Sequence, residues 1–431
     1  MHTKYSGRRR RSVHLFSPRI LQLLSFLTRK QAWLSPPEIA QSFRLDGDPV
    51  SVMTIYRWFS LLREQVGLTY FPYPRMNLLD LADVYVRIQS PRSPAILAGI
   101  PFGHSFLVEV GLDGHPFLSQ GYWVPGPKFD AFEEYWKTAK NLDLLEEFEI
   151  LPAKNTHFIF SPFHDVLQED GLAQVAGEID NRHFEKLVRR HLNEPYEVRL
   201  ADSIATAPIV IPLLSEHLWR HCSSRQVWQS IRAKGEEEIV KYVKGAVKKS
   251  LKKPGAALRL LQQHWRDLMQ EFYEVFLQPV VFFPLGLIRN CPLISFRVHS
   301  GSTERMMEMA LRASKRSVLT TLMPDAGQEG KCRVWCNPPS EELPFILRLM
   351  REYNRGPEPP VFGIIDVKAT RELAQPEFCG FDWRSFDPVN LSWRFDGEKY
   401  VERLKEIDTR RKLAWPLASP GLSSIPETKG L

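Results

Sequence analysis

The sequence predicts an α+β chain: two tandem copies of a helix-turn-helix (winged-helix-like) unit, each followed by a ferredoxin-like βαββαβ sandwich. Three observations point to it. Two short amphipathic helices joined by a polar turn stand near the start, strand and helix patterns then follow in the order β-α-β-β-α-β, and the second half of the 431 residues repeats the first in outline.

The helical unit is the most sharply patterned part. Ser35 is a good capping residue, Pro36 fits the first helical position and Glu38 completes a capping box, so a short helix begins in SPPEIAQSF (35–43). Asp46, Gly47 and Asp48 supply a turn. In VSVMTIYRWFSLLREQVG (50–67), Val52, Ile55, Phe59, Leu62 and Val66 recur at steps of three and four, which puts them on one apolar face. Thr54, Arg57 and Glu64 face the other way. The amphipathic SPRILQLLSFLTRK (17–30) supplies a preceding helix, and Arg8, Arg9, Arg10 and Arg11 form a basic arm before it.

Strands follow. LTYFPYPRMNLLDL (68–81) suits a wing or a linking strand, and ADVYVRIQS (82–90) alternates as a half-buried strand does. Residues 91–97 read as a turn and short helix. HSFLVEVGLDG (104–114) and FLSQGYWVP (117–125) form a hairpin across an Asp-Gly turn. FDAFEEYWKTAKNL (129–142) has helical spacing at Phe132, Tyr135 or Trp136, and Ala139, and EFEIL and HFIF close the module as short strands.

LSPPEIAQSF matches CSSRQVWQSI (222–231) without gaps, and EEEIVKYVKGAVKKSL (236–251) stands where the second helix would, with Lys241, Lys244 and Lys248 outward or flanking. VYVRIQS corresponds to ISFRVHS (294–300), SFLVEVGLDG to VLTTLMPDAG (318–327) and GYWVPGP to RVWCNPP (333–339), setting Trp123 against Trp335. The stretch 254–278, a long amphipathic helix, has no counterpart and either packs on its own domain or dimerises. The predicted organisation is a basic arm (1–16), a helix-turn-helix domain (17–75), a ferredoxin-like domain (76–195), a second, degenerate helix-turn-helix (205–253), a linker or dimerisation helix (254–278), a second ferredoxin-like domain (279–412) and a disordered tail (413–431).

With 43% hydrophobic and 25% charged residues and no apolar run near the roughly 18 residues that span a bilayer, the chain reads as soluble. Its start lacks the apolar core of a secretory signal, so cytoplasm is expected. Five scattered cysteines fit a reducing compartment, and Cys332 and Cys336 form a lone CxxxC without zinc partners. Residues 1–75 hold twelve Lys or Arg against four acids, a local +8 in a chain of net +7. A basic end on a neutral body is the footprint of a polyanion-binding module.

Motifs for catalysis are missing. There is no Walker loop, GxGxxG, HExxH or GxSxG. His164 and Asp165 are adjacent, and adjacent strand residues point to opposite faces. Tyr122, Trp123, Trp335, Trp383 and Trp393 read as core, Met306, Met307 and Met309 as helix packing, and His14, His157 and His299 have no spaced partners. The expectation is a chain that is not an enzyme and has no cofactor or metal.

Two short helices with a hydroxyl and an arginine facing out have the anatomy of a unit whose second helix enters a major groove of double-stranded DNA. Arg57 is placed for guanine, Thr54 for a thymine methyl and Ser51 for a phosphate. Arg8, Arg9, Arg10 and Arg11 follow the backbone or the minor groove, while Lys241, Lys244 and Lys248 position rather than specify. On SPPEIAQSF, VSVMTIYRWFSLLREQVG and GIPFGHSFLVEV (99–110), the chain resembles the leucine-responsive regulator (Lrp/AsnC) family of bacteria and archaea. The resemblance implies a sequence-specific transcription regulator whose sandwich domains pair through their sheets, with an amino-acid-like effector. At twice the family's length, one chain would form an internal pseudo-dimer, or a homodimer of such chains. The alternative is a small-molecule sensor or protein-interaction scaffold without specific DNA binding.

Overall fold

The computed structural model describes residues 17–29, 34–62, 69–74, 76–153, 156–160, 277–282, 290–382, 385–387, 390 and 392–414. The expectations for Arg8, Arg9, Arg10 and Arg11, for His164 and Asp165, for Lys241, Lys244 and Lys248, and for most of 254–278 lie outside them. Leu277 and Gln278, assigned to the end of that helix, lie in a strand instead.

Three helices open the described chain: α1 (Pro18–Arg29), α2 (Pro36–Ser42) and α3 (Val52–Leu61). The Ser35–Glu38 capping box is formed at α2. Between α2 and α3 a two-residue hairpin, β1 (Arg44–Leu45) and β2 (Asp48–Pro49), turns on Asp46 and Gly47, both at positive φ, which an Asp-Gly pair accommodates. β3 (Thr69–Pro74) then pairs antiparallel with β9 (Leu277–Phe282).

The rest is a mixed α+β body around one curled antiparallel sheet. Its first four strands in the chain are β4 (Leu81–Gln89), β5 (Gly103–Gly111), β6 (Pro116–Pro125) and β7 (Glu147–Ala153), with α4 (Phe129–Asn141) before β7. β8 (His157–Phe160) follows. The second set is β10 (Ile294–His299), α5 (Thr303–Ser314), β11 (Leu319–Pro324), β12 (Lys331–Cys336), α6 (Leu343–Tyr353) and β13 (Val361–Ile365). The spatial order is β7-β4-β6-β5-β13-β10-β12-β11-β8, so each half repeats one order, fourth-first-third-second. The halves join at β5–β13, where Gly111, Val110 and Glu109 face Gly363, Ile364 and Ile365.

The far ends of this sheet are β7 and β8, which are consecutive in the chain with only residues 154–156 between them. So short a link spans at most on the order of 14 Å. The sheet must therefore curl until its ends meet, and a bridge from Ala153 to Asp325 and a hydrogen bond from Ala326 N to Pro152 O mark the meeting.

Helices cover the outer face. α4 buries Phe132, Tyr135, Trp136 and Ala139 against the first half, as the spacing predicted, and α5 buries Met306, Met307 and Met309 against the second. After β13 come α7 (Val367–Leu373), a small hairpin of β14 (Phe386–Asp387) and β15 (Ser392–Trp393), and α8 (Gly397–Ala414). Although the predicted second domain runs to 412, α8 packs on α4 of the first half, with Arg411 Nη1 donating to Asp143 O at 3.0 Å. Conversely, Leu23, Leu24, Ile39 and Ile55 of the N-terminal helices share one apolar cluster with Ile294, Phe296 and Leu349 of the second half.

No described helix is long and apolar enough to cross a membrane. The described cysteines 291, 332, 336 and 379 are unpaired thiols. Burial pushes all four thiols up, Cys379 to about 11 and Cys336 to about 12. Iodoacetamide at pH 8 is therefore expected to leave these four unmodified in the folded chain and to alkylate them after unfolding, as read by peptide mass; rapid labelling of Cys332 in the folded chain would contradict the packing of β12.

Candidate active site

In the helix chosen from sequence as a DNA reader, Arg57 is exposed and Ile55 and Leu62 are buried as the spacing expected, whereas Thr54 is half-buried. Val52, assigned to the buried side of α3, is exposed, as are Met53, Tyr56 and Arg57, so the outer surface is mainly apolar with a single cation. Ser51 is the N-cap, its Oγ accepting from Thr54 N at 3.2 Å, and the Ser51 and Thr54 hydroxyls lie 2.9 Å apart. Val52 is the first residue of α3, next to its N-cap, and lies beyond the part of the stripe, Ile55, Phe59 and Leu62, that meets the core. Because these helices share the core of the second half, they are a built-in layer of the body.

A different set of residues converges on the concave side of the sheet. The β5 ladder shifts register between Gly103 and Ser105, and the residue left over is His104. Such a bulge re-aims a side chain. His104 stacks on Trp123 with ring centroids 4.5 Å apart and meets Tyr85 edge-on at 5.6 Å. Its Nε2 lies 2.9 Å from Asp83 Oδ1, and Thr156 Oγ1 donates to Asp83 Oδ2 at 2.6 Å. Both side chains of the pair are 7% exposed. With the carboxylate as acceptor, Nε2 is the donor of this hydrogen bond. Gly121 lets the ring pack this closely on β6. A Cβ there would run into Ser105 Oγ and stand 2.6 Å from His104 Cε1.

Beside this pair lies a buried charge network joining the halves. Glu109 of β5 accepts from Arg333 Nη2 of β12 and has Arg87 Nε of β4 at 3.4 Å, an ion pair without hydrogen-bond geometry. Arg297 of β10 donates to Glu149 of β7. Arg333 also reaches Ser119 Oγ and Ser295 Oγ, each at 3.2 Å, and its guanidinium lies over Trp335 and Tyr85. Burial lowers Arg333 to about 9 and Arg297 to about 10, with neighbouring Arg87 adding to the depression of each. A small recess lies here, lined by Tyr85 and Leu151 of the first half and by Arg297, Met323, Lys331 and Arg333 of the second. Among the described residues no cluster of His, Cys, Asp or Glu is set to hold a metal.

Sequence reasoning passed over Asp83, Arg87, His104, Glu109 and Arg333. The usable signal was weak: charged and polar residues recurring on one face of strands whose other face is apolar, which requires partners inside. Of the aromatics read as core, Tyr122, Trp123 and Trp393 are buried, whereas Trp335 stands partly buried in the interior layer between the halves. Trp383 lies outside the described residues.

No protein-family model matches the sequence, and no curated protein matches it. Among solved structures, the siroheme decarboxylase NirDL is similar over 91% of this chain and 99% of that chain, at 9% identity and a TM-score of 0.42. The same enzyme in co-complex with an iron-uroporphyrin III analogue is similar over 90% and 98%, at 10% identity and a TM-score of 0.41. These neighbours are named as an enzyme, and neither is named as a DNA-binding regulator. The assignment to Lrp/AsnC-like transcription regulators, the double-stranded DNA partner with its amino-acid-like effector and regulator-type dimer, and the absence of catalysis are corrected accordingly.

Proposed function

We propose that the chain is an enzyme that performs acid–base chemistry on a small molecule held on the concave side of the curled sheet, with His104 as the proton-transferring group. The observation that carries this reading is the Asp83–His104 pair on its bulge. Asp83 orients the ring so that the other ring nitrogen can exchange a proton with the bound molecule, while Thr156 occupies the second carboxylate oxygen. Stacking on Trp123 and the close approach that Gly121 permits fix the ring plane.

The finer reading of the fold belongs to the same proposal. Two ferredoxin-like sandwiches, at 76–195 and 279–412, are supported by the strand order shared by the halves. In this reading the duplication is what creates an interior between two sheet faces, and a cytoplasmic site of action remains part of it.

Incubating the purified full chain with a soluble small-molecule extract and following it by mass spectrometry tests the function. At least one compound should be consumed as another appears. His104→Asn, which retains a donor toward Asp83, should slow that conversion by roughly 10²- to 10⁴-fold. No conversion by the wild-type chain, or an equal rate in the folded variant, rejects the proposal.

A further inference from the structure

We infer that Thr156 is a positioning residue for the proposed proton transfer, and that its hold on the Asp83–His104 pair depends on the two ends of the curled sheet meeting. The inference rests on the acid–base reading for the word transfer; the hold on Asp83 itself stands on separate contacts.

Its first support is the carboxylate. Asp83 is 6% exposed, with His104 Nε2 on Oδ1 and Thr156 Oγ1 on Oδ2. The last torsion of an aspartate is soft, so a single partner would leave the carboxylate plane free to swing. A donor on each oxygen fixes that plane, and with it the direction in which His104 is held. At 2.6 Å the Thr156 bond has the length of a hydroxyl on an ionised acceptor. Threonine suits the task, because branching at Cβ limits the positions its hydroxyl can take.

The second support is where Thr156 sits. It is 73 residues from Asp83 and ends the short link between β7 and β8. Before the link, Ala153 is the ladder partner of Asp83 and also bridges to Asp325 of the second half. Directly after Thr156, β8 pairs with β11 of the second half, His157 opposite Leu322. The backbone that carries Thr156 is therefore set by a strand of one half, while its hydroxyl serves an acid of the other. Asp83 stands at the seam through both its ladder neighbour and its hydroxyl donor. Parting the seam would draw Thr156 away from Oδ2 and release the carboxylate to turn, so closure of the sheet and orientation of His104 are one event.

Exchange of the His104 Nε2–H with water, followed by NMR in the full chain with isotope-labelled histidine, reads this hold directly; its signal is the one that His104→Asn removes. Thr156→Val keeps the shape and removes the donor, so exchange should quicken about tenfold and conversion should slow about tenfold through kcat with KM unchanged. Thr156→Ser restores the hydroxyl and should stay within about threefold of the wild-type chain in both. Ala326→Pro removes the seam N–H that Pro152 O accepts, outside the pair itself, and should quicken exchange about threefold. A Gly-Gly insertion after Asn155, which slackens the link, decides if that variant does not fold. Wild-type exchange in folded Thr156→Val, or no recovery in Thr156→Ser, overturns the positioning role, and wild-type exchange in the folded seam variant overturns its dependence on closure. Quickened exchange in Thr156→Val beside a wild-type chain that converts nothing would reject the acid–base reading and uphold the hold on Asp83, which keeps the two failures apart.

Discussion

Glu109→Ala is expected to destabilise the chain by about 3–5 kcal/mol, because it leaves buried guanidinium charge without its counter-ion. Glu109 is 2% exposed and stands between Arg333 of one half and Arg87 of the other. Arg333 is already held down to about 9 by burial, so it has little capacity to lose its partner and stay charged in place. The pair as a whole is another matter. Replacing it with apolar residues of similar size, Glu109→Leu with Arg333→Met, should recover most of the loss, since neither desolvated charge then remains. Urea unfolding of the two single variants and the double variant measures the coupling. Additive losses would mean that the two side chains do not interact as the geometry states.

Trp136→Ala should cost a similar amount, about 3–5 kcal/mol, by opening a large cavity under α4. The indole is fully buried among Tyr122, Phe132, Tyr135 and Phe148. Trp136→Phe is expected to cost far less, on the order of 1 kcal/mol, because the Nε1–H finds no acceptor among the described residues and its removal ends an unmet need. Thermal unfolding compares them; equal losses would show that the indole nitrogen has a partner after all. Tyr122, which the indole contacts, lies between Gly121 and Trp123 on β6, so this packing also backs the strand that carries His104's neighbours.

Local patterns in the sequence carried much of the fold. The capping box at Ser35, the Asp113–Gly114 hairpin turn, the strand β4 and the apolar stripe of α4 depend on residues a few positions apart, and each formed, although β4, read as half-buried, is covered on both faces. Periodicity alone misplaced Val52, since the first residue of a helix shares the phase of the buried stripe without reaching the core that Ile55 and Leu62 meet. The site was not legible. Asp83 and His104 are 21 residues apart and meet because a bulge turns one strand residue inward, and Glu109 and Arg333 are 224 apart. No spacing rule connects either pair. The recurrence of VYVRIQS as ISFRVHS did place Arg87 and Arg297 in equivalent strands, but which edge of one half meets the other is a property of the closed sheet.

The crosswise packing of the chain's two ends bears on how the molecule reaches this state. The helix that covers the first half, α8, is the last described element to leave the ribosome, while the first helices wait for strands some 270 residues later. Contacts of such long sequence separation are slow to form. Until α8 has been made, the greasy outer side of the early strands is without part of its cover. Synthesis of this protein therefore exposes a sticky intermediate for tens of seconds at ordinary elongation rates of roughly 5–20 residues per second, and its yield should depend on holding chaperones more than on final stability.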